Sequence, residues 1–126
     1  MNMKITTFNP LIVTNDAENV IKVFEALGFE RRHNITVNSS GKDIESVRMK
    51  NADGFHVDVA QVNGIPRDMT MIRMNVDDFD EAYQFLTDRG FKNPKGDHTV
   101  DTATNKSACL TSPTGFSFDL CQHIKD

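Results

Sequence analysis

Two aspartates, Asp58 and Asp119, lie at the same position of a short segment that the chain carries twice. The segment reads Gly-Phe-His-Val-Asp-Val-Ala-Gln at 54–61 and Gly-Phe-Ser-Phe-Asp-Leu-Cys-Gln at 115–122. Repetition at fixed offsets is typical of a repeated supersecondary unit. Two such units are expected to complete one body with a shared site between them. Two carboxylates brought together there repel each other, which raises one pKa unless a cation compensates them.

Length and composition are those of one globular domain. The chain has 126 residues, of which 38% are apolar and 25% charged, and this is enough to bury a core. The net charge of −4 argues against nucleic acid and anionic membranes as partners, and no apolar run approaches the roughly 20 residues that span a bilayer. Because the N-terminal residues lack the apolar segment of a signal peptide, we expect a cytoplasmic protein.

Both halves of the chain are expected to have the element order β-α-β-β-β within a single domain of 1–126. Module one covers about 5–63, a linker of about 63–69 contains the breaking Gly and Pro residues, and module two covers about 70–126. Short apolar runs between turn residues predict the strands. They lie at 8–14, about 30–38, about 44–50 and 55–62 in module one, and at 71–76, near 98–103, 106–111 and 116–122 in module two.

One helix in each module is expected to follow the first strand and to cover one face of the sheet. Each helix is predicted to begin with a capping box and to end at a glycine. The opposite face of each sheet is then left to form a concave surface. The residues concerned are Asn15, Glu18 and Gly28 for the first helix, with the apolar face Val20, Val23, Phe24 and Leu27, and Asp78, Glu81 and Gly90 for the second, with the apolar face Phe79, Ala82, Tyr83 and Leu86.

This repeat resembles the vicinal oxygen chelate superfamily, which includes glyoxalase I, extradiol dioxygenases, fosfomycin-modifying enzymes and bleomycin-resistance proteins. The resemblance covers nearly the whole chain and rests on Leu-Ile-Val-Thr-Asn-Asp at 11–16, on Phe-Glu-Ala-Leu-Gly-Phe at 24–29 and on the two turn-Gly-Phe-x-x-Asp segments. It implies a glyoxalase-like α+β fold in which two modules form a concave, partly closed mixed sheet. It says less about chemistry, because such a fold hosts many unrelated activities.

The resemblance also implies where a metal would bind. Each module of the superfamily supplies a His or Gln from its first strand and a Glu from its last strand, and the matching residues here are Asn9 and Met71, and Asp58 and Asp119. Methionine is a poor ligand for the divalent ions that the superfamily uses, and Asp is shorter than Glu. We therefore expect no cofactor. If Zn, Ni, Mn or Fe is bound, Asp58 and Asp119 are the expected ligands, with His56 as a third.

Strand alternation predicts which residues share the concave face with the two aspartates. Arg73 is expected either to take part in a ligand site or to form a purely structural ion pair with Asp58 or Asp119. The candidate ligand-binding residues are Asn9, Leu11, His56, Asp58, Met71, Arg73, Asp119 and Cys121. The residues expected to pack against the helices instead are Phe55, Val57 and Val59, and Phe116, Phe118 and Leu120.

Two functions are compatible with this face. The first is binding of a small organic molecule, as in bleomycin-resistance proteins, with two carboxylates that favour a cationic or hydrogen-bond-donating ligand. The alternative is a divalent-metal-dependent lyase, isomerase or dioxygenase resembling glyoxalase I, in which His56 is a metal ligand or the general base. A regulatory role is a third hypothesis, and no feature of the sequence favours it. We expect a homodimer, because members of the superfamily commonly form one and because open strand edges favour pairing with another chain.

Overall fold

The computed structural model describes residues 2–39, 42–94, 96, 100–101 and 105–123. Within these ranges the elements run β-α-β-β-β twice, which confirms the predicted order and the α+β class. The first set is β1 (Ile5–Thr14), α1 (Ala17–Ala26), β2 (Glu30–Ser39), β3 (Lys42–Lys50) and β4 (His56–Gln61). The second set is β5 (Met69–Val76), α2 (Phe79–Thr87), β6 (Val100–Asp101), β7 (Asn105–Thr111) and β8 (Ser117–His123).

Most predicted strands agree with the observed ones to within two residues, and two differ more in extent. The first begins at Ile5 rather than at residue 8. Of the strand predicted near 98–103, the structure describes Val100–Asp101, and the rest of that prediction lies outside the described residues. Neither described helix is long and apolar enough to cross a membrane.

The residues Asn9–Thr70 form a compact unit, here called the first unit. In it β1 pairs in parallel with β4, and β4, β3 and β2 pair antiparallel in that order. Helix α1 packs on one face of this sheet, because alternate residues of β3 and β4 form a buried apolar cluster with it. The cluster consists of Ala17, Ile21, Val47, Met49, Val57 and Val59.

The residues Met1–Phe8 and Met71–Asp126 form the second unit. Here β5 pairs in parallel with β8, and β8, β7 and β6 pair antiparallel in that order. Helix α2 packs on one face of this sheet in the same way. Its buried cluster consists of Met74, Val76, Phe79, Ala82, Leu86, Ala108, Leu110 and Leu120.

The buried face of α1 includes half of the predicted one, because Val20 and Phe24 pack partly buried against the core cluster. Val23 and Leu27 are 59% and 66% exposed, while Ala17 and Ile21 are buried. The helix begins at Ala17, and its apolar stripe runs from that residue through Val20, Ile21 and Phe24 at helical spacing. The predicted face of α2 is buried at Phe79, Ala82 and Leu86, with Tyr83 partly buried against it, because this helix begins with the first residue of its stripe.

The two helices are also capped differently. The Asp78 side chain accepts a hydrogen bond from the Glu81 N–H at 3.1 Å, as predicted for α2. The corresponding prediction for α1 is wrong, because the N-cap residue is Asp16, whose side chain makes no capping hydrogen bond. Both helices have a further cap in common. A glutamine of the repeated segment accepts a hydrogen bond from the first N–H group of the helix. The bonds join Gln61 to Ala17 at 2.8 Å and Gln122 to Phe79 at 2.6 Å.

The two repeated phenylalanines do not pack as predicted. Phe55 is 66% exposed and Phe116 is 52% exposed. Both precede the first residue of their strands, so the alternation of the pleat does not extend to them. The Phe116 ring contacts the rings of Phe91 and Phe118 at centroid distances of 5.4 Å each, whereas no ring contact of Phe55 is found within the described residues.

Candidate ligand-binding site

Asp58 forms a buried ion pair with Arg48 of the adjacent strand β3. The register of β3 and β4 places the two residues directly opposite each other. Arg48 Nε donates to Asp58 Oδ1 at 3.0 Å, and Arg48 Nη2 donates to Asp58 Oδ2 at 3.2 Å. The side chain of Asp58 is 0% exposed and that of Arg48 is 23% exposed. Such a pair of parallel bonds is the strong, directional form of an arginine–carboxylate contact.

Small and apolar residues surround this pair on the face of the first unit that points away from α1, here called the helix-free face. Leu11 of β1 lies opposite Asp58, and Ser46 of β3 lies opposite Ala60 of β4. Leu11, Ser46 and Ala60 are all buried. The charged pair therefore shares this face with two apolar residues and a serine, and His33 of β2 lies opposite Arg48 in the register of the sheet.

Two further predicted residues lie on the first unit. Asn9 is buried in β1, and its Nδ2 donates to the neighbouring Pro10 carbonyl oxygen at 3.0 Å. His56 is exposed at the beginning of β4. Within the part of the chain that the structure describes, no side chain forms a hydrogen bond with the His56 imidazole.

Asp119 has its own arginine in the second unit. Arg73 of β5 lies opposite Asp119 of β8, and Arg73 Nε donates to Asp119 Oδ2 at 2.9 Å. The two side chains are 13% and 18% exposed. The ion pair that was one of the two alternatives for Arg73 is therefore present, although a structural pair and a ligand-binding arginine are not mutually exclusive.

The other predicted residues of the second unit lie on β5 and β8, the strands that carry Arg73 and Asp119. Cys121 is buried, with its Sγ 3.7 Å from the Asp119 carbonyl oxygen, and Met71 is partly buried in β5. Cys109 is exposed on β7 opposite Asp119. The structure thus groups four predicted residues in each unit, and the expectation that the two groups enclose one hollow stays a prediction.

Arg48 is not among the site residues predicted from the sequence. Its strand alternates the apolar Val47 and Met49 with the polar Ser46 and Arg48. This alternation places Arg48 on the helix-free face once Val47 and Met49 are assigned to the helix side. What the sequence could not provide was the register between β3 and β4, which sets Arg48 opposite Asp58.

The donor chemistry around the aspartates does not fit the implied metal site. Both oxygens of Asp58 accept hydrogen bonds from Arg48, and one oxygen of Asp119 accepts from Arg73. A divalent ion bound to these carboxylates would compete with a guanidinium at each of them. In the described ranges, no three His, Cys, Asp or Glu side chains are arranged to hold an ion. The expectation that the protein carries no cofactor stays a prediction.

The two ion pairs bear on the expectation of a cationic ligand, which stays a prediction. That expectation counted Asp58 and Asp119 as uncompensated negative charges. Each carboxylate accepts a hydrogen bond from an arginine, which compensates part of its negative charge. A cation gains little attraction from a carboxylate that a guanidinium already neutralises.

Comparison with known proteins identifies the fold through solved structures. Glyoxalase I from Zea mays is 15% identical with a TM-score of 0.67, covering 97% of this chain and 44% of its own. A glyoxalase/bleomycin resistance protein/dioxygenase superfamily member from Vibrio splendidus is 19% identical with a TM-score of 0.60, covering 94% of this chain and 99% of its own. Methylmalonyl-CoA epimerase from Streptomyces coelicolor, in complex with 2-nitronate-propionyl-CoA, is 15% identical with a TM-score of 0.67, covering 97% of this chain and 100% of its own.

These likenesses establish the vicinal oxygen chelate fold for this chain, as its repeat predicted. The chain spans less than half of the maize enzyme and nearly the full length of the other two. No family model and no curated protein matches the sequence. At these identities the likeness concerns the fold alone, so function must be argued from the residues of the site.

Proposed function

We propose that the protein binds a small organic molecule on the helix-free face of its first unit without transforming it. The observation that carries this proposal is the Arg48–Asp58 pair, whose arginine is partly exposed on a face that also carries the apolar Leu11 and Ala60. A concave apolar surface with a few convergent polar groups is the usual form of a small-molecule site. A buried ion pair is also weak evidence of a stabilising role, because apolar side chains of similar size often stabilise a protein equally well.

The fold supports the same proposal. A protein with this fold, the epimerase from Streptomyces coelicolor, holds 2-nitronate-propionyl-CoA, and the superfamily member from Vibrio splendidus is described by bleomycin resistance among other activities. That ligand belongs to the epimerase, and the name of the Vibrio splendidus protein states a superfamily. They make a small organic ligand the first class to test here.

The alternative, a metal-dependent lyase, isomerase or dioxygenase, lacks an observation that favours it. The carboxylates assigned as metal ligands are hydrogen-bonded to arginines. A general base is normally oriented by a third group, and no described side chain hydrogen-bonds to His56. Metal analysis after incubation with Zn, Ni, Mn and Fe tests this alternative. One metal ion per chain in the unaltered protein, absent from the Asp58→Asn variant, would support the metal-dependent enzyme.

A homodimer and a cytoplasmic location belong to the same proposal. Large apolar side chains exposed on the single chain, such as Phe8 at 60% and Phe55 at 66%, support association with a second copy. Light scattering of the purified protein should give twice the mass of the 14.2 kDa chain. Cell fractionation should recover the protein with cytoplasmic markers, and recovery in another fraction would contradict the assigned location.

A fragment screen by methyl NMR tests the binding function directly. The Leu11 and Ala60 methyls report the helix-free face, whereas the Val57 and Val59 methyls report the face that packs against α1. We expect uncharged carbonyl and hydroxyl fragments to shift the Leu11 and Ala60 signals in a saturable manner. A library that leaves both signals unchanged, or shifts only the helix-side methyls, overturns the proposed function. Asp80→Asn, in an exposed ion pair with Lys106, is the matched surface control.

A further inference from the structure

We propose that Asn63 is a site of spontaneous deamidation, at which the side-chain amide loses ammonia to the backbone nitrogen of Gly64 in the folded protein. Asn63 is the one asparagine of the chain that a glycine follows. Both residues are exposed in the turn after β4, at the start of the linker. Gly64 has a φ of 84°, a conformation that favours glycine, and its nitrogen carries no neighbouring side chain that would hinder its approach to the amide.

The reaction balances without any reagent besides water. The Gly64 nitrogen attacks Cγ of Asn63, and the bond from Cγ to Nδ2 breaks. The proton of the Gly64 nitrogen leaves with Nδ2, so the products are ammonia and a cyclic succinimide. Water then opens the ring in the exposed turn. Attack at Cγ gives aspartate, whereas attack at the main-chain carbonyl carbon gives isoaspartate, in which the main chain runs through Cγ.

Both reacting groups are available in the folded structure. In the part of the chain that the structure describes, the Gly64 N–H donates no hydrogen bond, and neither does Asn63 Nδ2. Asn63 Oδ1 accepts from Gln61 Nε2 at 2.8 Å. The direction of that bond is fixed, because Gln61 Oε1 already accepts from the Ala17 N–H. The nucleophile and the leaving group are therefore the two groups that the surrounding hydrogen bonds leave out.

The turn before β4 provides the contrast. There Gly54 follows Asp53, and the Gly54 N–H donates to the Asn51 carbonyl oxygen at 3.1 Å. The side-chain oxygen of Asn51 accepts from the N–H groups of Asp53 and Phe55 at 3.1 and 2.9 Å. The nitrogen that would attack Asp53 and the amide of Asn51 are thus both held by hydrogen bonds. We expect both residues to react more slowly than Asn63.

The aspartate product keeps the contact that caps helix α1. Gln61 accepts from the Ala17 N–H and donates to the Asn15 carbonyl oxygen at 2.7 Å as well as to Asn63. A carboxylate at position 63 still offers an oxygen to Gln61, and a hydrogen bond to a charged acceptor is stronger than one to an amide. Its charge also lies near the N-terminus of α1, the end of a helix that favours anions. Isoaspartate instead lengthens the main chain of the turn by a methylene group.

Peptide mapping of the incubated protein tests the site. Trypsin releases residues 51–67 as one peptide, which contains both asparagines. After incubation of the folded protein at neutral pH, we expect a gain of about 1 Da at Asn63, where NH2 is replaced by OH, and none at Asn51. Isoaspartyl methyltransferase should label the same peptide, and Asn63→Gln should abolish both signals, because the longer side chain disfavours ring closure. An unchanged Asn63, or equal conversion of Asn51 and Asn63, overturns the proposal.

A synthetic peptide of residues 51–67 shows whether the folded protein itself reacts. The rates at Asn63 in the protein and in the peptide should agree within about tenfold, because the hydrogen bond from Gln61 is worth at most about that factor. A rate in the protein that is lower by far more than tenfold means that only unfolded molecules react, and it overturns the proposal.

The variant Asn63→Asp tests the product. Its new carboxyl should titrate with a pKa below the ordinary value of about 3.9, because Gln61 donates a hydrogen bond to the charged form. Its thermal midpoint should be at least that of the unaltered protein. An ordinary pKa together with a lower midpoint would overturn the retained cap, while the peptide map decides the deamidation separately.

Discussion

Removal of Arg48 alone should destabilise the protein far more than removal of the whole ion pair. In Arg48→Met, the completely buried carboxylate of Asp58 loses hydrogen bonds of 3.0 and 3.2 Å. Breaking a buried pair costs about 3–5 kcal/mol, and the partial exposure of Arg48 places the expected loss at about 3 kcal/mol. At a urea m-value of about 2 kcal/mol/M, the midpoint of unfolding falls by about 1.5 M.

The double variant Arg48→Met/Asp58→Leu provides the contrast in the same urea titrations. Replacing a buried pair by apolar side chains is often neutral, so its free energy of unfolding should lie within about 1 kcal/mol of that of the unaltered protein. Asp80→Asn breaks an ion pair whose aspartate is 83% exposed, and it should change stability by less than about 1 kcal/mol. A single variant as stable as the unaltered protein, or a double variant as unstable as the single, refutes this account of the pair.

Two further predictions concern the helix ends and pH. Gly90→Ala should destabilise the protein more than Gly28→Ala in thermal unfolding: φ is 93° and 99° respectively, but only at Gly90 would an added Cβ lie 3.0 Å from Pro113 Cγ. Equal losses would contradict this contact. The hydrogen bond from Arg31, followed by its charge, holds the pKa of Glu18 below its ordinary 4.5, so the stabilisation is present above pH 4.5 and is lost as the pH falls through the lower folded value. Carboxyl NMR titration should show a midpoint that rises toward 4.5 in Arg31→Met, and an unchanged midpoint would refute the pairing.

The repeated segment explains why the fold was predictable from the sequence. Gly54 and Gly115 have φ values of 89° and 108°, so each turn requires a residue without a side chain. Gln61 and Gln122 each accept from the first N–H of the helix in their own unit. Residues with the same structural task therefore recur at the same offset, and the element order could be recognised from them.

The parts that could not be predicted depend on contacts between elements. The true stripe of α1 includes Ile21, yet the apolar spacing of Val23 and Leu27 is equally regular, and only packing against the sheet decides between them. Asp58 and Asp119 could be selected because they recur. Their compensation by arginines depends on strand pairing.

The two arginines show that the ion pair of each aspartate depends on the neighbouring strand. Arg48 reaches Asp58 from the strand on the antiparallel side, whereas Arg73 reaches Asp119 from the strand on the parallel side. The two units thus neutralise equivalent aspartates from opposite neighbours, and no fixed offset in the sequence links the arginines. A repeat identifies positions of like geometry, but each position takes its chemistry from whichever strand lies beside it.

Isotope-filtered nuclear Overhauser measurements on the protein with a fragment that binds saturably in the screen test the central claim most directly, because they locate the fragment by contact. The protons of the fragment should give cross-peaks to the Leu11 and Ala60 methyls, which share the helix-free face with the Arg48–Asp58 pair. Cross-peaks to the Val57 and Val59 methyls on the helix side, or saturable binding with no cross-peak to Leu11 or Ala60, would contradict the claim that this face is the binding site.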